Sequence, residues 1–201
     1  MTFDLTTNNI LEILGIGLTL AYSVGLMFQK IWGWPLGILG SFISIFLFVD
    51  VKLYSEAILY GFYVLFGFYG WYNWTHPRNN VKELKVIVKG ATWHISFFII
   101  GVLGSMGLGY FFQSTTDANN PFEDAFSTIF SFIATYFETQ KILSSWLYWI
   151  VLNAFSVYLY YIRGLEIYGT LMVVYFVLSI WGFIEWRRSY RADLGHSLPD
   201  E

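Results

Sequence analysis

Seven apolar blocks run along the chain, each divided from the next by a polar break. They fall at Ile10–Phe28, Trp34–Val49, Ala57–Trp74, Ala91–Phe112, Phe122–Phe137, Trp146–Ile162 and Ile167–Trp186. Their lengths lie close to the roughly 17 to 25 residues that an α-helix needs to cross the hydrocarbon core of a bilayer. None alternates apolar and polar residues in segments of about ten, as a strand of a membrane barrel would. The pattern predicts an all-α membrane protein with seven transmembrane helices. The longest polar interruption, Thr75–Gly90, contains a proline, an asparagine pair and most of the loop charge, and it marks the best boundary.

Composition agrees with that pattern. Of 201 residues 56% are hydrophobic and only 12% charged, about half the charged share of a soluble domain. The absence of cysteine excludes disulfides, thiol catalysis and thiolate metal sites. The N-terminus lacks a basic region followed by a short apolar core and a small-residue cleavage site, so the first block reads as a retained helix. The net charge of −3 gives no reason to expect a nucleic-acid partner. Placement of the basic residues says more. In a seven-helix chain Lys30, Arg78, Lys82, Lys85, Lys89, Lys141, Arg187, Arg188 and Arg191 share one side, and Lys52 and Arg163 the other. The positive-inside rule then sets the N-terminus outside and the C-terminus in the cytoplasm.

A shift of 112 residues lays Asn8–Trp74 on Asn120–Trp186 without a gap. Glu12 falls on Asp124, Trp34 on Trp146, Ser44 on Ser156, Tyr63 on Tyr175, Gly70 on Gly182 and Trp74 on Trp186. Matches between apolar residues are cheap in such a chain, and the weight lies on the Trp, Gly and Tyr matches. Three helices, a lone helix and three more make a 3+1+3 plan. The lone helix restores direction, so the repeat is parallel, as in sugar transporters of the SWEET type, with a site expected between the bundles. The expected parts are a first bundle (1–75), a loop and linker helix (76–113), a second bundle (114–190) and a cytoplasmic tail (191–201).

Candidate chemistry concentrates on three helices. Trp146, Trp149 and Asn153 stand at i, i+3 and i+7 and share one helical face. At 1.5 Å per residue Asn153 lies roughly 10 to 12 Å along its helix, where an unpaired carboxamide costs several kcal/mol. Its partner is either another helix, as interhelical glue, or a ligand. Tyr60 and Tyr63 lie deep in the third block, and their hydroxyls need partners. Trp71 and Trp74 close that block, and Trp181 repeats the theme in the seventh. A wall of Trp and Tyr with an amide and hydroxyls suits a flat aromatic ligand, and a cationic heterocycle best, since indole and phenol faces attract cations. Carboxylates fall near helix ends, which points away from ion coupling and toward facilitated diffusion. An enzyme finds no support: there is no phosphate loop, no His–Glu–x–x–His and no Ser or Cys nucleophile beside a base. His76, His94 and His196 are too scattered to suggest a metal site, and no cofactor is implied. Gly101, Gly104 and Gly107, with Gly15 and Gly17, are expected to let helices approach closely.

Two motifs carry a resemblance. Leu53-Tyr54-Ser55-Glu56, running on to Tyr63 and closing with Tyr69-Gly70-Trp71-Tyr72-Asn73-Trp74, is similar to the LYA…YGWYxW pattern of the PnuC family of bacterial vitamin transporters. Trp146-x-x-Trp149-x-x-x-Asn153 resembles that family's WxxWxxxN motif. The resemblance covers nearly the whole chain. It implies the 3+1+3 fold, a homotrimer with one pathway per protomer, and a place in the bacterial inner membrane as a multi-pass protein. It also implies uptake of nicotinamide riboside without a driving ion, trapped by cytoplasmic phosphorylation. Trp146, Trp149 and Asn153 would contact substrate, and Tyr63, Trp71 and Trp74 would line or gate the path. Tyr60 stands where several relatives have Gln, which alters how a ribose or pyridine amide would be read. Relatives of the same fold carry thiamine or riboflavin, so thiamine or another vitamin is the alternative substrate. A structural membrane protein whose aromatics serve only packing is the alternative from another class.

Overall fold

The computed structural model describes residues 5–50, 54–77, 83–116, 120–164 and 166–195. Lys52, Leu53, Arg78, Lys82 and His196, used above, lie outside the described residues. Among the described residues there are seven helices and no strand: α1 (Leu5–Met27), α2 (Gly33–Asp50), α3 (Tyr54–Thr75), α4 (Ala91–Thr115), α5 (Pro121–Thr139), α6 (Ser145–Ile162) and α7 (Glu166–Gly195). Each apolar block holds one helix. In lipid a helix satisfies its own backbone N–H and C=O groups, which an isolated strand cannot do. α7 continues to Gly195, through part of the stretch assigned above to the tail. Asn9–Met27, Gly33–Asp50, Ala91–Thr115 and Tyr168–Gly195 are long and apolar enough to cross a membrane by length and composition alone. α3, α5 and α6 carry more Trp, Tyr or polar positions, whose polar tips lower hydropathy although the rings themselves are apolar.

The chain folds as two compact units, residues 1–84 and 85–201. In the first, α2 packs against both α1 and α3. In the second, α4 packs on α5, α5 on α6, and α6 on α7. The sequence-based division put the linker helix apart from the second bundle; within this unit α4 lies on α5. Gly101, Gly104 and Gly109 make that approach possible, because Phe130, Ile129 and Phe122 fill the space where their Cβ atoms would be. Gly107 and Gly17 have nothing within 4 Å of an added Cβ, so these two do not serve close packing as expected. Gly107 follows Gly104 by about 300° around the helix, which turns it off the α5 side.

The two units build the same local structure at positions 112 apart. α1 and α5 end at Met27 and Thr139, and α2 and α6 begin at Gly33 and Ser145. Between them one residue takes a left-handed conformation: Gln29 at φ 55° and Lys141 at φ 50°. Non-glycine residues rarely adopt it, yet both turns do. The same bonds close both turns: Lys30 N–H donates to Gly25 C=O at 2.7 Å, and Ile142 N–H to Phe137 C=O at 2.9 Å.

Both units also hold the same aromatic lock. Trp34 meets Trp74 edge to face, with centroids 5.4 Å apart at 85°. Trp146 meets Trp186 at 5.5 Å and 86°. All four rings are buried, and such pairs contribute about 0.5–1.5 kcal/mol beyond their area burial. Each α2 or α6 indole lies over a bare glycine of the following helix. A Cβ on Gly182 would sit 2.5 Å from Cε3 of Trp146, and one on Gly70 would run into the benzo edge of Trp34. Gly70→Ala and Gly182→Ala should each cost about 1–3 kcal/mol through overpacking. The expected readout is a melting temperature several degrees lower in detergent, whereas Gly107→Ala, facing open space, leaves it unchanged.

Candidate functional site

α6 starts directly after the Lys141 turn, and its first residues are held from two sides. Ser145 N–H donates to Ile142 C=O at 3.0 Å. Ile87, ahead of α4, brackets the turn: its N–H donates to Lys141 C=O at 3.0 Å and its C=O accepts from Leu143 N–H at 2.9 Å. With its start fixed, α6 directs Trp146 and Asn153 to α7. Trp146 goes onto Gly182 and Trp186. Asn153, 8% exposed, donates from Nδ2 to Ser179 Oγ at 2.9 Å. Ser179 in turn donates to Tyr175 C=O at 2.8 Å.

Trp149 goes elsewhere. It packs against the cluster of Phe130, Ile133, Ala134, Phe137, Ile142 and Leu152, most of it from α5. The face that carries the three residues spans about 60° of the helix, and its two edges meet different neighbours. Trp146 and Asn153 are therefore joined to one helix and Trp149 to another cluster. Nε1 of Trp149 is buried and has no hydrogen-bond partner among the described residues. Trp149 and Asn153 are i and i+4, adjacent along the helix surface. Trp181 of α7 is 52% exposed.

In the first unit Tyr60 and Tyr63 form one aromatic group, with rings 5.7 Å apart, and Tyr60 also meets Phe48 at 5.3 Å. Trp74 is committed to the lock with Trp34. Trp71 is 40% exposed and lines an open groove of about 370 Å³ with Phe68, Tyr72, Thr75 and His76. All five residues belong to α3 or its immediate end, so the groove is a feature of that helix surface and does not include Tyr60 or Tyr63.

Position 149 differs sharply from the position 112 residues before it. Its counterpart is Gly37, where an added Cβ would lie 2.5 Å from the Tyr22 ring. The counterpart of Tyr22 is Ala134, fully buried in the cluster that receives Trp149. The aromatic ring comes from α1 in one unit and from α6 in the other, each set beside a small residue of the partner helix. The Asn153–Ser179 pair likewise corresponds to Ser41 and Gly67, and Ile38 fills the space beside Gly67. Ser179 was not singled out from sequence. A lone serine in an apolar helix is an ordinary event, and only the α6–α7 register brings it to the amide. Burial of Glu138 and Lys141, 3% and 6% exposed at the α5–α6 turn, was also not foreseen for residues placed near a helix end.

Comparison with known proteins agrees with this architecture. The chain is 25% identical over 168 residues to the riboflavin/roseoflavin transporter RibM of Streptomyces davaonensis, covering 82% of this chain and 78% of that protein. The crystal structure of the vitamin B3 transporter PnuC superposes with a TM-score of 0.73 at 18% identity, over 90% of this chain and 82% of that one. The family model described as nicotinamide mononucleotide transporter matches residues 9–188. This chain belongs to the nicotinamide mononucleotide transporter family, the PnuC family of membrane transporters that its motifs resemble.

Proposed function

We infer that this transporter takes up nicotinamide riboside by facilitated diffusion across a bacterial inner membrane, with cytoplasmic phosphorylation trapping the product. The observation that carries the reading is on α6: the buried indole N–H of Trp149, without a hydrogen-bond partner among the described residues, lies one turn from the Asn153 amide. The indoles of Trp34 and Trp146, likewise unpaired among those residues, are instead committed to their glycine seats. An unpaired buried donor is costly, and a substrate acceptor would relieve it. Indole faces attract a pyridinium ring. Tyr60, Tyr63, Trp71, Trp74 and Trp181 remain candidate lining or gating residues, with Trp146 and Trp74 acting through the packing beneath. A homotrimer belongs to the same reading.

The relative that transports riboflavin and roseoflavin by name supports a second reading, in which the ring is another vitamin, a flavin or thiamine. A melting panel on the purified protein separates them. A ligand at about 100 times its dissociation constant stabilises by about 2.7 kcal/mol. Nicotinamide riboside is expected to raise the melting temperature clearly, and riboflavin and thiamine little. A rise with riboflavin alone transfers the assignment to a flavin, and no rise with any of the three overturns both readings of the substrate. Trp149→Phe keeps most of the ring and removes the N–H, and Asn153→Ala removes the amide. Each should weaken binding by roughly tenfold, the worth of one hydrogen bond.

Orientation with the N-terminus outside and the C-terminus in the cytoplasm is part of the proposal, as is the parallel 3+1+3 repeat. The chain has no cysteine, so single cysteines report directly. In spheroplasts a membrane-impermeant maleimide should label Ser114→Cys, whereas Glu83→Cys should be labelled only after lysis.

A further inference from the structure

The Asn153–Ser179 pair determines which way the amide faces. Ser179 Oγ carries one hydrogen, and that hydrogen goes to Tyr175 C=O at 2.8 Å, one turn back on α7. Toward Asn153 the hydroxyl can therefore only accept. The group at 2.9 Å from it must be the amide N–H of Asn153. With the amide reversed, carbonyl oxygen would face hydroxyl oxygen with no hydrogen between them. Ser179 is 4% exposed and Asn153 8% exposed. In such a low-dielectric setting the wrong pairing is expensive and the correct one is held firmly. Oδ1 consequently points away from Ser179 and retains its acceptor capacity. The first unit has no such device, since Ser41 and Gly67 occupy the equivalent positions.

We propose that Ser179 is a positioning residue that holds the Asn153 carbonyl oxygen toward the substrate, so that the site selects planar heterocycles presenting an N–H donor. This rests on the reading of α6 as a substrate-binding helix. A ring carboxamide, an exocyclic ring amine and a ring imide all satisfy the requirement. A ketone or ester at the same place does not, because two acceptors would then face each other.

The test uses nicotinamide riboside and 3-acetylpyridine riboside, which have the same charge and nearly the same shape. The second carries a methyl group where the first has NH2. Dissociation constants for both are measured on the full-length protein in detergent by calorimetry. The native protein should prefer nicotinamide riboside by roughly tenfold, the worth of one hydrogen bond to a buried acceptor. Ser179→Ala frees the amide to turn, and the preference should fall to about twofold, mostly through weaker binding of nicotinamide riboside. Ser105→Ala is the control. Ser105 is a buried serine of α4 with the same kind of bond, donating to Gly101 C=O at 2.7 Å. Its loss should leave the preference at the native value.

An unchanged preference in Ser179→Ala, or equal affinity of the native protein for the two ribosides, overturns the positioning role and leaves the transport assignment standing. Native protein that binds neither riboside overturns the nicotinamide riboside assignment and with it the inference. A preference that collapses equally in Ser179→Ala and Ser105→Ala also overturns it, since the effect is then general loosening of the bundle.

Discussion

Both units depend on an indole that lies against bare backbone. Trp34 and Trp146 are too large to sit between packed helices unless the facing helix gives up a side chain, and Gly70 and Gly182 do so. Each ring then meets a second tryptophan edge to face. This fixes both the separation and the register of α2 on α3 and of α6 on α7. In a bilayer the hydrophobic effect does not drive helices together, because lipid tails are as apolar as the side chains. Shape complementarity has to do that work, and a flat ring on a glycine supplies a large contact at close approach. Once α6 and α7 are registered in this way, Asn153 arrives opposite Ser179.

The frame recurs while the side chains between its fixed points do not. The left-handed residue at Gln29 and Lys141 and the tryptophan lock occur at matched positions. Between these fixed points the side chains diverge. Tyr22 over Gly37 becomes Ala134 beside Trp149, and Ser41 with Gly67 becomes Asn153 with Ser179. In each exchange a bulky or polar group faces a small residue, Gly37 under Tyr22 and Ala134 beside Trp149, so the large ring has room in both units. The exchange delivers an indole and an amide to α6 without disturbing how the helices meet.

The second unit holds its turn by a further contact. The stretch ahead of α4 pairs with the α5–α6 turn through Ile87, and Val86 and Ile142 are buried there. Lys85 reaches Asp193 at 3.3 Å on the extended end of α7. That pair is too exposed to contribute much. The backbone bonds and the buried side chains hold the turn. A fixed turn gives α6 a fixed starting point, and the rotation of its face follows.

Seven helices were legible because each apolar block is long and unbroken, and because helix is the economical way to bury a backbone in lipid. The matched Trp, Gly and Tyr positions were legible for a similar reason, since they are rare residues in one register. The aromatic and amide residues of α6 could be found from spacing alone, but their partners could not. Spacing places Trp146, Trp149 and Asn153 near one another on a helix, whereas neighbouring helices decide that Trp146 serves the lock, Trp149 the α5 cluster and Asn153 the hydroxyl of Ser179. Likewise, glycines that look alike in sequence separate into seats, such as Gly101, and open positions, such as Gly107. Sequence by itself determined the class, the number of helices and the residue types available for recognition, because those follow from local hydropathy and periodicity. Tertiary structure decided which of those residues are committed to packing and which way the amide is turned. Those properties depend on side chains 26 to 40 residues away, such as Ser179 for Asn153 and Trp186 for Trp146, brought into contact only by helix register.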